Sequence, residues 1–263
     1  IYSLQYGQIL SGKMVTGTGE PHALIYLGGG APASLPRDPG LSIQGNLRRF
    51  DLDAWQALDI GQASGEKGPI SLRNANVGFS ALRAFNRVFH DTRIKATPVP
   101  MGWRLEINGK EVIGEVLYGE AGGLPGKRLS GHFQKLSFPS QERAAVAQES
   151  DAPTELPRIL EINAQSVILK DIELGQLNTY MEAERSGLRT RNLVVSNPDG
   201  RLKGEGWISA SHRQATQFDV QLDTENAGKL LNRLGITEGL KGGAGTVSGN
   251  ISWLGRPEDF AMA

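Results

Sequence analysis

The chain of 263 residues contains no cysteine. That removes disulfide frameworks and thiolate chemistry, and it leaves a fold that assembles equally well in oxidising and reducing compartments. There is no excess of charge either. Lysine plus arginine and aspartate plus glutamate number 28 each, which argues against a nucleic-acid partner, since such proteins carry a basic surplus or patch. Long hydrophobic runs are missing. The longest, such as Ala23–Leu27, fall far below the roughly 20 residues that cross a bilayer. Ile1 opens directly on strand-like sequence with no leader, so the chain reads as an excised piece of a longer protein whose membrane anchor would lie outside it.

Chemistry-bearing motifs are also absent. The four histidines, His22, His90, His132 and His212, have no second ligand at metal spacing. Ala121–Arg128 looks like a phosphate loop, but Ala121 stands where its first glycine belongs and Arg128 where a magnesium-binding hydroxyl belongs. Gly243-Ala244-Gly245 has Ser248 in place of the third glycine of a dinucleotide fingerprint and precedes a strand rather than a helix. No nucleophile elbow occurs. The expectation is a protein that is not an enzyme and holds no cofactor and no metal.

What is abundant is glycine, 34 residues, about twice the usual share of roughly 7%. Many lie inside alternating runs, among them Gly45, Gly114, Gly131, Gly204, Gly206 and Gly249. Glycine inside a strand marks bending or close backbone approach. The alternation is clear in Trp103, Leu105 and Ile107, in Phe218, Val220 and Leu222, and in Val247, Gly249, Ile251 and Trp253, each separated by polar residues, the period of a strand with one apolar face. Asn108-Gly109 marks a hairpin turn. Two short helices interrupt the strands. Asp53 is the expected cap of one over Ala54–Leu58. Asp223, Thr224 or Asn226 caps the other over Ala227–Leu234, whose Leu230, Leu231 and Leu234 fall on one face and which Gly235 stops.

The organisation is repetitive. Ile70–Gly119 can be laid beside Leu160–Ile208, with Val77 and Phe79 against Val167 and Leu169. The polar segment 140–157, SQERAAVAQESDAPTELP, reads as a flexible linker or loop. The expected fold is all-β with a few short helices: an elongated, curved, mainly antiparallel sheet forming an open apolar groove. Residues 1–139 would form a first β-groove unit and 158–263 a second, or the two run on as one groove.

The stretch from Asp223 to Phe260 carries a more specific signal. Gly228-Lys229-Leu230-Leu231-Asn232-Arg233-Leu234-Gly235, the turn Gly242-Gly243-Ala244-Gly245 and Trp253-Leu254-Gly255-Arg256-Pro257-Glu258-Asp259-Phe260 resemble, in order and spacing, a segment of the AsmA-like proteins of Gram-negative bacteria, most closely the YhdP-type family. The resemblance is best over Leu156–Ala263. It implies a section of a bridge-type lipid-transfer protein in the periplasm. Such a bridge is anchored in the inner membrane, carries phospholipids to the outer membrane and supports the permeability barrier. Its partners would be phospholipid acyl chains and inner- and outer-membrane proteins at the bridge ends. The residues expected to face lipid are Trp103, Leu105, Ile107, Val116, Phe218, Val220, Leu222, Val247, Ile251 and Trp253. The alternation alone also fits a non-enzymatic β-repeat scaffold or adhesion module that binds protein at a strand edge.

Overall fold

A computed structural model describes residues 1–17, 19–29, 39–57, 70–84, 87–123, 125–138, 157–209, 214–236 and 239–255. It is mostly β-strand. Among the described residues there are 15 strands and two short helices, and the strands hydrogen-bond in sequence order within one sheet. Contacts group Ile1–Glu115 as one unit and Val116–Phe138 with Thr154–Ala263 as the other. The division falls inside β8 (Val112–Glu120).

In the first unit the strands are β1 (Tyr2–Tyr6), β2 (Leu10–Val15), β3 (His22–Leu27), β4 (Gly40–Asp51), β5 (Leu72–Ala84), β6 (Arg87–Val99) and β7 (Gly102–Asn108). Most neighbours are antiparallel, as expected, but β3–β4 and β4–β5 are parallel. Parallel neighbours need a crossover connection, and the β3–β4 and β4–β5 connections each include residues outside those described. The sequence hides this, because nothing in an alternating run states the direction of its neighbour. The helix α1 (Leu52–Ala57) follows β4 with no intervening residue. Its cap is Asp51, whose Oδ1 accepts from Ala54 N at 2.8 Å. The expected cap, Asp53, lies instead inside the first turn. Leu58 lies outside the described residues. Leu52 packs on Leu82, Ala84 and Phe89, a cluster that Phe50, Phe79, Ile94 and Val112 complete.

In the second unit the strands are β9 (Lys127–Phe138), β10 (Ile159–Leu169), β11 (Ile172–Glu184), β12 (Gly187–Asn197), β13 (Gly200–Ser209), β14 (Ala215–Thr224) and β15 (Gly245–Leu254). β9 and β10 pair in parallel and the rest antiparallel. The polar segment 140–157, nearly all of it outside the described residues, therefore connects two hydrogen-bonded neighbours. Lys170 and Asp171 form the β10–β11 turn with φ of 48° and 68°, the left-handed pair that a two-residue hairpin demands.

The repeat has a different phase from the sequence alignment. β5 ends at Ala84 and β10 at Leu169, and β6 ends at Val99 and β11 at Glu184; each pair is about 85 residues apart, the spacing of matching elements in a repeat. Laying Val77 on Val167 misses this phase.

The Asn108-Gly109 turn is longer than the dipeptide implies. β8 begins at Val112, Gly109 N donates to Val112 O at 2.8 Å, and Gly109 is buried against Thr92, whose Oγ1 a Cβ would meet at 2.6 Å.

Interior glycines differ in what surrounds them. A Cβ on Gly206 would lie 2.1 Å from Gln217 O and 2.9 Å from the Phe218 ring, whereas one on Gly249 meets nothing within 4 Å. Gly206→Ala should therefore destabilise by about 1–3 kcal/mol through forced overpacking. Gly249→Ala should be neutral or stabilising by about 0.5 kcal/mol, because alanine gives up less chain freedom than glycine. Urea unfolding of the two variants checks the contrast.

Candidate functional site

Strand registers place the apolar residues in rows that run across the strands. In the first unit one row is Leu4, Gly12, Ile25, Ile43, Ala75, Ala96 and Leu105. The next is Tyr6, Leu10, Leu27, Gly45, Val77, Ile94 and Ile107. Between them, on the opposite face, stand Gln5, Ser11, Tyr26, Gln44, Asn76, Lys95 and Glu106. Trp103 extends the apolar face beside Pro98.

The second unit repeats the arrangement with three rows. Phe133, Ala164, Leu177, Val195, Leu202, Leu222 and Val247 form the first. Gly131, Ile162, Thr179, Leu193, Gly204, Val220 and Gly249 form the second. Leu129, Leu160, Met181, Thr190, Gly206, Phe218 and Ile251 form the third. Trp253 stacks on Phe218 with ring centroids 6.2 Å apart and planes 12° apart.

A bulge keeps the second unit in phase. Arg191 is extra in β12, so the register shifts between Thr190 and Leu193. These two residues, three apart in sequence, consequently share a face. Strict alternation would send one of them to the other side. Thr179 escapes being a buried orphan, since its Oγ1 donates to Asn192 O at 2.9 Å.

The reverse face is polar and tied together by side chains. In the first unit Arg93 donates from Nη1 to Asn76 Oδ1 at 3.0 Å and from Nη2 to Asn46 Oδ1 at 2.8 Å. In the second, Asn192 donates to Asn178 at 2.7 Å, and Asn178 donates to Asn163. The Asp223 carboxyl is held below the ordinary carboxylate range, first by its hydrogen bond from Gln221 and then by that from Thr246. Trp207 stands on this face, with the Arg189 guanidinium 5.6 Å from its ring.

Every expected lipid-facing residue on β7, β14 and β15 thus lies on an apolar face: Trp103, Leu105 and Ile107 in the first unit, and Phe218, Val220, Leu222, Val247, Ile251 and Trp253 in the second. Val116 alternates with Glu115, which pairs with Arg104 at 3.3 Å, and it is buried. The sequence list left out most of each row. Ile25, Ile43, Val77 and Ile94, and Leu160, Ile162, Leu177 and Leu193, belong to the same surfaces. Their signal was the same alternation, broken at intervals by glycine, threonine or an extra residue. The Trp55 side chain lies outside the described residues.

Within the rows burial varies: Val77 is 7%, Ala164 6% and Met181 8% exposed. Among the described residues the largest side chains less than 2% exposed are Ser42, Ser209 and Thr216, none of them a large hydrophobe. At the edge strand β15, Val247 is 66% and Ile251 42% exposed. Among the described residues no group of three His, Asp or Glu side chains is placed to hold a metal. The arrangement presents apolar side chains on one face and polar side chains on the other.

Each unit has a short helix beside its apolar face. In the second this is α2 (Ala227–Arg233). Of the three candidate caps it uses Asn226, whose Oδ1 accepts from Lys229 N at 3.0 Å. It ends at Gly235 (φ 69°), where Gly235 N donates to Asn232 O and Ile236 N to Leu231 O, both at 2.9 Å, a Schellman motif. Leu230 is 4% exposed, and its methyl carbons lie 3.1 and 3.4 Å from where a Gly200 Cβ would be. Gly200 has the parity of Leu202 and Gly204, so α2 sits on the apolar side, at the end of the rows.

Residues 1–263 match the family model described as YhdP protein. No curated protein and no solved structure matches the chain.

Thr190 is 2% exposed, and its Oγ1 has no hydrogen-bond partner. Leaving such a group unsatisfied costs about 1–3 kcal/mol. Thr190→Val, which replaces the hydroxyl by a methyl in the third apolar row, should raise the urea midpoint without changing the slope of the transition.

Proposed function

Because the chain belongs to the YhdP family of AsmA-like, bridge-type lipid-transport proteins of the Gram-negative envelope, we propose that it is a non-enzymatic section of such a bridge. It carries phospholipids between the inner and outer membranes. The supporting observation is the set of in-register apolar rows, which ends at the edge strand β15 in the exposed Val247 and Ile251. A single-layer sheet of this kind needs something on its apolar face. Acyl chains supply it, at about 0.8 kcal/mol per methylene removed from water, while headgroups stay in water. The lipid-facing set is Trp103, Leu105, Ile107, Val116, Phe218, Val220, Leu222, Val247, Ile251 and Trp253, extended by the remaining row members.

In this reading the chain works in the periplasm, the anchor belongs to a part of the parent outside residues 1–263, and membrane proteins receive lipid at the bridge ends. The permeability barrier of the outer membrane then depends on this flow. Movement along the rows is diffusive or is driven by a partner. The other reading, a β-repeat scaffold, has protein covering the same rows, and one experiment separates the two.

Photo-crosslinkers placed in the full-length parent in cells should give phospholipid adducts at Phe218, Val220 and Leu222 and none at Gln217 and Gln221, which point to the opposite face. Protein adducts at the first three positions would replace the lipid reading with the scaffold. A Cβ on Gly249 meets nothing within 4 Å, and Gly249→Trp sets an indole over that open place in the second row. It should cut lipid adducts at Val220 several-fold while leaving the melting temperature within a few degrees.

A further inference from the structure

A second feature of α2 is not absorbed by the apolar rows. Beside it lies a cleft of about 790 Å³ lined by Asp199, Asn226, Lys229, Asn232, Arg233 and Lys241 among others. Its charge is one-sided. Arg233 Nε pairs with Asp199 at 2.6 Å, and neither Lys229 nor Lys241 has a carboxylate partner among the described residues. Several basic side chains elsewhere are matched, as in Lys95–Glu106, Arg104–Glu115 and Arg191–Glu182. Glu225, exposed next to the cap, is the nearest carboxylate to Lys229 in sequence and does not line the cleft.

The backbone beside the two lysines is pinned. Ala227 N donates to Gly243 O at 2.6 Å and Gly228 N to Gly242 O at 3.0 Å. A Cβ on Gly228 would lie 2.3 Å from Leu240 O, so the Leu240–Gly243 segment runs directly against the start of the helix. Lys229 and Lys241 therefore flank a fixed seam. That seam sits at the rim of the apolar rows, because Leu230, one residue from Lys229, covers Gly200 on the same side of the sheet as Leu202.

We propose that this cleft is a phosphate site and that it takes the headgroup phosphate of a lipid whose acyl chains lie on the adjacent rows. The assignment rests on the lipid reading above. An amphiphile carries its phosphate within a few bonds of its hydrocarbon, and a cationic cleft at the end of an apolar row matches that juxtaposition. Ammonium groups act on phosphate as mobile point charges, which suits a site that must release its ligand. The site gives the bridge a preference for phosphate-bearing lipid over neutral lipid with the same chains.

The test uses the full-length parent loaded from vesicles containing either phosphatidylglycerol or diacylglycerol of identical acyl chains. The wild type should load phosphatidylglycerol preferentially. Lys229→Ala and Lys241→Ala should each reduce that preference about threefold, the scale of one partly exposed charge contact. Diacylglycerol loading should stay unchanged, and Lys229→Arg with Lys241→Arg should restore the preference. A folded double alanine variant with undiminished preference overturns the headgroup site while leaving the lipid reading in place. If neither lipid loads, the lipid reading itself fails. In that case, protection of Lys229 and Lys241 from acetylation by millimolar inorganic phosphate would identify a free-anion site, and that result also overturns the headgroup assignment.

Discussion

Register is the constraint on which everything else in this protein depends. Side chains on a strand alternate between faces, so a slip of one residue in a single pairing would turn that strand's apolar set into the polar face. Here the rows pass through seven strands in each unit without losing their side. Where the sequence carries one residue too many, as at Arg191, a bulge absorbs it, and Leu193 returns to its row against Gly204. The helices, the polar ladders and the cleft beside α2 are all positioned by this alignment.

The two faces hold their register by different means. On the polar side it is locked by directional bonds: the asparagine series Asn163–Asn178–Asn192 and the Arg93 fork can close only when their strands are in phase. On the apolar side the lock is steric. Phe218 lies over Gly206, and Phe133 over Gly131, so a ring on one strand needs a glycine on the next or beside it. Glycine in these strands provides room for neighbouring rings, which accounts for part of its abundance. The cost is a fold with little deep core, since few large side chains are enclosed from all directions.

The sequence made the face of a strand legible wherever alternation was unbroken. Trp103–Leu105–Ile107 and Phe218–Val220–Leu222 were read correctly because nothing interrupts their period. β12 offers no such period, because Arg191 adds a residue and Thr190 puts a hydroxyl in an apolar row. The parallel pairings were illegible for another reason. An alternating run reads the same whether its neighbour is parallel or antiparallel. The cap of α1 was misplaced by two residues because β4 runs straight into the helix, and Asp51 ends the strand and caps the helix at once. In α2 three polar residues competed on paper, and only the observed backbone selects Asn226. The basic cleft left no trace in composition, since a net charge of zero conceals where unmatched lysines collect.

The order of the strands has a consequence for how the chain reaches its native state. Each strand pairs with the one before it and the one after it, so the closing segment is a hairpin turn or a single crossover, never a distant terminus. Loop-closure entropy is small at every step, and topologies of this kind fold quickly for their size. A strand added later finds its template already formed by its predecessor. The sheet can then grow vectorially as the polypeptide arrives, like a ribbon laid down from one end, without waiting for the rest of the chain.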